Sequence, residues 1–247
     1  GKLVSISEPI TFRESASYLG EIGAWMQDPV VGGEQIYVIK IIGENQVRKL
    51  FEYANMADFR NHRNEVVRIV PDAMESNGAV VYNGSLYYQR RNSRKIVRYH
   101  ISTQQVLRQR PIKQAAFHGA QAYQWGGYSD IDLTVDETGL WVIYRKTRNE
   151  SEIKSSTRLP KNCSVQKRGV ANAFIICQVL YTVNSFSDAN AINFSYNLNT
   201  RTRQKLKIPF INLYRQNVMI DYNPLNRHIY SWDNGYQVAY KSKVDDS

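Results

Sequence analysis

Three short stretches of this sequence each set an oxygen-bearing side chain inside an apolar run. They are Ser129-Asp130-Ile131-Asp132-Leu133, Val170-Ala171-Asn172-Ala173-Phe174 and Met219-Ile220-Asp221-Tyr222-Asn223. A carboxylate buried without a partner is costly, so Asp132 and Asp221 call for a cation or a dense set of donors. Two carboxylates, an amide oxygen and backbone carbonyls are the ligand chemistry of a hard cation, and Ca²⁺ takes roughly six to eight such oxygens. The same residues could equally be three caps, each satisfied by backbone N–H groups. Asp130 and Asp132, two apart, would share one face of a strand and could mimic an acid/base pair.

Other catalytic chemistry has little support. His62, His100, His118 and His228 form no HExxH pattern or close pair, and no GxSxG elbow, P-loop or dinucleotide fingerprint occurs. His118, before Gly119, reads as a hydrogen-bonded loop residue. The expectation is a protein that is not an enzyme. The alternative is a glycan-acting propeller hydrolase using Asp130, Asp132 and Asp221.

These side chains need elements to position them. Asp132 lies in Ile131–Val135, which alternates, as does Leu140–Tyr144; the turn Asp136-Glu137-Thr138-Gly139 between them makes a β-hairpin. An apolar–aromatic pair then recurs: Ile36-Tyr37, Leu86-Tyr87, Leu140-Trp141, Leu180-Tyr181 and Ile229-Tyr230. The interval is roughly 40 to 54 residues, close to the period of a four-stranded propeller blade. Five such units fill residues 1–247 as a single domain: an all-β, five-bladed β-propeller of four-stranded antiparallel blades. A β-sandwich with coincidental spacing is the alternative. The first strand of each blade lines the central channel, which would bring Asp132, Asn172 and Asp221 together. The N-terminal run Leu3–Ile6 is expected to close the ring by pairing near Tyr236–Lys241, because a bare edge invites aggregation. Residues 51–63 have helix-like spacing at Phe51, Met56 and Phe59. Residues 145–168 are polar, contain only a short possible strand and read as a long exposed excursion.

The chain carries a net charge of +10 and 43% hydrophobic residues. No apolar run is long enough to span a bilayer, so no membrane insertion by this domain is expected. No signal peptide opens it, and targeting and oligomerising segments are expected elsewhere. The charge favours anionic partners. Arg201, Arg203, Lys205 and Lys207 alternate along one segment, and Arg90, Arg91, Arg94, Lys95 and Arg98 cluster around a turn; both sets are candidate polyanion or partner surfaces. Arg145, Lys146 and Arg148 lead into the polar excursion. Two cysteines, Cys163 and Cys177, are too few for a disulfide framework. Of four N-x-S/T sequons, Asn83, Asn149 and Asn162 are expected to carry glycan; Asn193, in an apparently buried strand, is the poorest candidate.

Trp125-Gly126-Gly127-Tyr128-Ser129-Asp130-Ile131-Asp132-Leu133, followed by Asp136-Glu137-Thr138-Gly139-Leu140-Trp141, resembles the signature of the olfactomedin domain. So do residues 169–177 with Leu180-Tyr181, Ile208-Pro209-Phe210, Met219–Pro224 with Trp232-Asp233-Asn234, and residues 20–29 and 78–87. The resemblance covers nearly the whole chain. It implies a five-bladed propeller in an extracellular protein, secreted or shed from the cell surface. It implies a buried structural Ca²⁺ held by the side chains of Asp132, Asn172 and Asp221 and the carbonyls of Ala173 and Ile220, with a neighbouring Na⁺ on Asp132 and Asp221. It implies a disulfide from Cys177 to a cysteine just before residue 1, which leaves Cys163 without an evident partner. The basic balance resembles the neuron–glia adhesion branch of the family. That implies engagement of Ig-type cell-adhesion receptors (neurofascin, NrCAM) and heparan sulfate, a role in assembling the node of Ranvier, and no nucleic-acid partner.

Overall fold

The computed structural model describes residues 1–13, 20, 22–41, 48–75, 77–120, 130–146, 152–156, 165–166, 170–187 and 190–245. Two strands open the chain, β1 (Lys2–Ile6) and β2 (Ile10–Arg13). The first sheet follows with β3 (Ile22–Met26), β4 (Ile36–Ile41), β5 (Lys49–Tyr53) and β6 (Val66–Ile69). The second holds β7 (Val80–Tyr82), β8 (Ser85–Gln89), β9 (Lys95–His100) and β10 (Gln105–Pro111). The third holds β11 (Ile131–Asp136), β12 (Gly139–Arg145), β13 (Glu152–Ser156) and β14 (Val165–Gln166). The fourth holds β15 (Asn172–Ile176), β16 (Val179–Val183), β17 (Ala191–Asn197) and β18 (Arg203–Pro209). The fifth joins β19 (Asn217–Asn223), β20 (His228–Asp233) and β21 (Tyr236–Asp245) to the two N-terminal strands.

The architecture is an all-β propeller. Four sheets are meanders of neighbouring antiparallel strands, which short turns can connect, and the fifth extends the meander β19–β20–β21 with β1 and β2. The five apolar–aromatic pairs all lie in the second strand of their sheet. The first strands face one another through the middle of the molecule: β11 lies against β7, β15 and β19, and β19 against β3. These inner strands are buried on both faces, so β11, β15 and β19 are buried at every position rather than alternately.

Acceptor side chains tie the sheets together. Asp28 accepts from Val30 N (2.9 Å) and Val31 N (3.2 Å) beside the first sheet, and from Asn83 N (3.0 Å) and Gly84 N (2.6 Å) in the β7–β8 turn. Asp136 and Glu137 do the same between the third and fourth sheets, accepting from Gln178 N and Cys177 N at 2.7 Å each. Asn223 Nδ2, in the fifth sheet, donates to Gln27 O at 3.2 Å, beside the first. The received turns have positive φ: 49° and 71° at Asn83 and Gly84, 48° and 62° at Cys177 and Gln178. Such turns match the twist of the flanking strands, and Asn-Gly enters them at little cost. Cys177-Gln178 lacks that freedom, and the bonds to Asp136 and Glu137 offset its strain.

Several expectations change. Leu3–Ile6 does form a closing strand, but β1 pairs with Ser242–Asp245, whereas Gln237–Ala239 pairs with β2. At ten residues β21 is long enough to serve two short strands end to end. Residues 145–168 are not simply an excursion, because β13 and β14 complete the third sheet. Outer strands are held by backbone hydrogen bonds and need no alternating apolar face, so polar sequence hid them. Within residues 51–63 only α1 (Met56–Arg60) is helical; Phe51 belongs to β5. Asn55 caps α1, accepting from Asp58 N at 2.8 Å, and Phe59 is buried against Trp25 with ring centroids 5.4 Å apart.

A candidate metal centre on the propeller axis

Asp132 is the second residue of β11, Asn172 opens β15 and Asp221 lies in β19, three strands packed on one another at the centre. Their exposures are 5%, 3% and 8%, and Ala173 and Ile220 beside them are buried too. Asp132 and Asp221 are close enough to repel. Burial pushes the Asp221 carboxyl well above the usual carboxylate range; the Asp132 charge adds to this, and donation from Thr134 Oγ1 at 2.5 Å opposes it. Tyr222 N also donates to Asp221 Oδ1 at 2.9 Å. Asn172 Oδ1 accepts from Ala173 N at 2.8 Å, which fixes how the amide is turned.

Gly78 was not singled out from the sequence, yet it shapes the site. A Cβ there would lie 2.6 Å from Asp132 Oδ1, 3.0 Å from Asp132 Cα and 3.1 Å from Ile131 O. Only glycine lets that backbone pass so close to the carboxylate. Its neighbour Asn77 is buried and donates Nδ2 to Val218 O, joining this loop to β19. Thr134 was also missed; its position in an alternating strand gave no signal that it bonds Asp221 across the axis.

The residues present fit a hard cation. The Asp132 and Asp221 carboxylates are buried and repel, the strand packed against both opens on Asn172, and a cation would relieve the repulsion and desolvation together. Among the described residues no cluster of three or more His, Cys, Asp or Glu side chains occurs, so further ligands have to be amide or carbonyl oxygens. The cavity beside Asp221, lined by Met26, Val80, Val81, Val135 and Tyr222, holds about 10 Å³.

Asp130, the other carboxylate of the supposed acid/base pair, has partners of its own. Asp130 lies just before β11, fully buried, and accepts from Gly119 N at 2.6 Å. Burial pulls the Arg145 guanidinium down in pKa, and the nearby Asp130 charge opposes this. Asp130 therefore engages a loop amide and lies near the Arg145 cation. His118 Nδ1 lies 3.0 Å from Glu75 Oε1, the hydrogen-bonded loop position expected of it.

The basic segments are less uniform than alternation suggested. Arg203, Lys205 and Lys207 lie on β18, but Arg201 precedes it with φ 60°. The β17–β18 register slips between Ile192 and Phe194, so the two-residue period breaks before Lys207. Arg203 lies over Tyr196, 5.9 Å from its ring centroid. Around the β8–β9 turn, Arg90 pairs with Asp72 at 3.1 Å, Arg94 lies 5.2 Å from the Phe117 centroid, and Arg91 is half-buried. Lys95 is exposed at the start of β9. The two sets lie on different sheets and do not form one strip.

Cys177 forms no disulfide among the described residues; burial raises its thiol pKa, with Glu137 adding. A Cβ on Gly1 would come 3.2 Å from Cys177 Sγ, so the N-terminal end of this chain lies at the thiol. Asn83 is exposed in its turn, whereas Asn193 is half-buried and accepts from Thr182 Oγ1 at 2.7 Å. Asn149, Asn162, Cys163, Arg148 and Trp125–Tyr128 lie outside the described residues.

Comparison with known proteins agrees with this organisation. The olfactomedin-like domain model matches residues 1–247. Rat myocilin is 41% identical over 259 residues, covering 100% of this chain and 51% of the relative. Human myocilin is 42% identical over 257 residues, covering 99% and 51%. The chain thus spans about half the length of the curated relatives it matches. A luciferin-regenerating enzyme structure aligns over 96% of both chains at 10% identity with a TM-score of 0.48, too loose a likeness to add anything. The match over the full length, together with this identity to myocilins, makes the chain a member of the olfactomedin-like domain family.

Proposed function

We propose that this chain is an extracellular, non-enzymatic binding module whose five sheets act as blades around an axis braced by Ca²⁺. One observation carries the reading. The axial carboxylates Asp132 and Asp221 are buried and repel each other, and the cavity that Asp221 lines, which Asp132 does not line, holds only about 10 Å³, with no room for a sugar ring. Carboxylates in that setting hold an ion rather than turn over a glycan, which weighs against the hydrolase alternative. Asp132, Asn172 and Asp221 would supply side-chain oxygens and Ala173 and Ile220 carbonyls, with Na⁺ beside Asp132 and Asp221. The bound ion supplies charge neutralisation at the axis, and Gly78 leaves room for the Asp132 carboxylate beside the backbone.

Family membership supports a secreted setting, since olfactomedin domains belong to extracellular proteins. No described helix is long and apolar enough to cross a membrane. The basic balance favours the gliomedin branch, and with it adhesion to neurofascin or NrCAM, heparan sulfate as a matrix partner, and neuron–glia contact at the node of Ranvier. Cys177, at the N-terminal end, suits a disulfide to a cysteine just upstream, and Asn83 suits a glycan. The test is metal analysis of the purified domain with melting in Ca²⁺ and in chelator. Bound Ca²⁺ at unit stoichiometry, with a melting temperature that falls in chelator and does not respond in Asp221→Asn, is expected. A metal-free domain that melts identically in both conditions refutes the brace.

A further inference from the structure

Resting on the binding-module reading, we infer that the groove between the second and third sheets receives an acidic, partly apolar peptide segment of a protein partner. The groove has a volume of about 780 Å³ and is walled by β8–β10 on one side and β12 on the other. The register explains its character. Val80 faces Tyr87, Tyr87 faces Arg98, and Arg98 faces Arg108, so one row across the second sheet runs from apolar near the axis to cationic at the rim. Arg110, two residues on from Arg108, shares that face.

Arg98 and Arg108 stand directly opposite on adjacent strands, an arrangement that destabilises a sheet unless an anion lies between them. Arg98 is positioned, its Nε bonding Ser85 Oγ at 3.2 Å and its guanidinium 5.8 Å from the Tyr87 centroid. Arg108 and Arg110 are exposed and make no ion pair among the described residues. No acidic side chain lines the groove among the described residues. The nearest carboxylates on the β11–β12 turn, Asp136 and Glu137, are already engaged by backbone N–H groups.

The floor decides between ligand classes. It is largely apolar: Ile96, Leu140 and Val142, with the rings of Tyr82 and Tyr87, pack half-exposed on Val80, Leu133 and Val135. A peptide segment alternating Asp or Glu with apolar residues satisfies floor and rim together. It would bury the apolar side chains and give the guanidiniums carboxylates to bind in pairs.

The test is a random-peptide display selection on the folded chain alone, with the selected peptides then measured on Arg108→Glu/Arg110→Glu. Both positions are exposed, so the variant should melt with the parent. Selected peptides should interleave acidic and apolar residues, bind the parent in a salt-sensitive way, and lose at least tenfold in affinity on the double variant. Arg108→Gln/Arg110→Gln should give an intermediate loss. Peptides that bind parent and variant alike overturn the inference. So does a selection without acidic enrichment, or a heparin decasaccharide that needs both arginines while no peptide does. Full receptor capture by the charge-reversed chain would sink the groove and leave the binding-module reading standing; glycan turnover would sink that reading instead.

Discussion

Replacing Gly78 by alanine probes the axis through a single methyl group. The added Cβ would meet Asp132 Oδ1 at 2.6 Å and Asp132 Cα at 3.0 Å, both closer than ordinary van der Waals contact. Neither atom is the free end of a flexible chain, since Asp132 is anchored in β11 between Ile143 and the core. Overpacking of this kind costs about 1–3 kcal/mol. In a domain of this size about 1 kcal/mol moves the melting temperature by roughly 2–4 °C, so in chelator a fall of about 2–12 °C is expected. In saturating Ca²⁺ a second loss adds to the first, because the displaced carboxylate weakens the ion. At one hundred times Kd a bound ligand contributes about 2.7 kcal/mol, and a hundredfold weaker site forfeits most of that, roughly 5–9 °C more. Differential scanning calorimetry in chelator and in millimolar Ca²⁺ separates the two losses. A Gly78→Ala chain that melts with the parent in both conditions refutes the close approach. One that loses only the chelator-insensitive part refutes the ion and keeps the clash.

The inter-sheet braces can be tested at Asp28. Asp28→Ala strips four backbone donors of their acceptor, and urea denaturation should show a loss of about 2–4 kcal/mol, the two exposed valine amides recovering water. Asp28→Asn should lose less; equal stability of parent and Asp28→Ala would refute the brace. His62 accepts from Arg13 Nε at 3.3 Å, and its pKa is lowered, first by burial and then by the Arg13 and Lys40 charges. The unfolded chain therefore binds the proton at a higher pH than the folded one, and stability should fall as pH drops below about 6.5. His62→Gln should flatten that slope, measured by denaturation from pH 5 to 8; an unchanged slope counts against His62. Lys205→Glu/Lys207→Glu should elute from heparin at lower salt, whereas a change confined to the β8–β9 turn should matter less, since Arg90 is already paired. Identical elution of both variants and the parent would clear β18 of any role.

Sequence alone determined the inner architecture. The apolar–aromatic pairs mark second strands because those strands are flanked on both sides and must satisfy hydrophobic packing at fixed intervals. Asp132, Asn172 and Asp221 were legible because a polar atom inside an apolar run has to be explained. Outer and closing strands were not legible. β13 and β14 carry polar residues, β2 is a four-residue run behind Pro9, and backbone pairing, blind to side chains, decides where they lie. Only the tertiary structure could give Gly78 and Thr134 their roles, because each acts on a residue from another strand. The same holds for the arginine row. Arg98 reads in the chain as part of the turn cluster and Arg108 and Arg110 as scattered surface charge, and only the register stacks them above an apolar floor. Period and burial are properties of a segment and can be read along it, whereas proximity between segments is fixed by the packing of sheets.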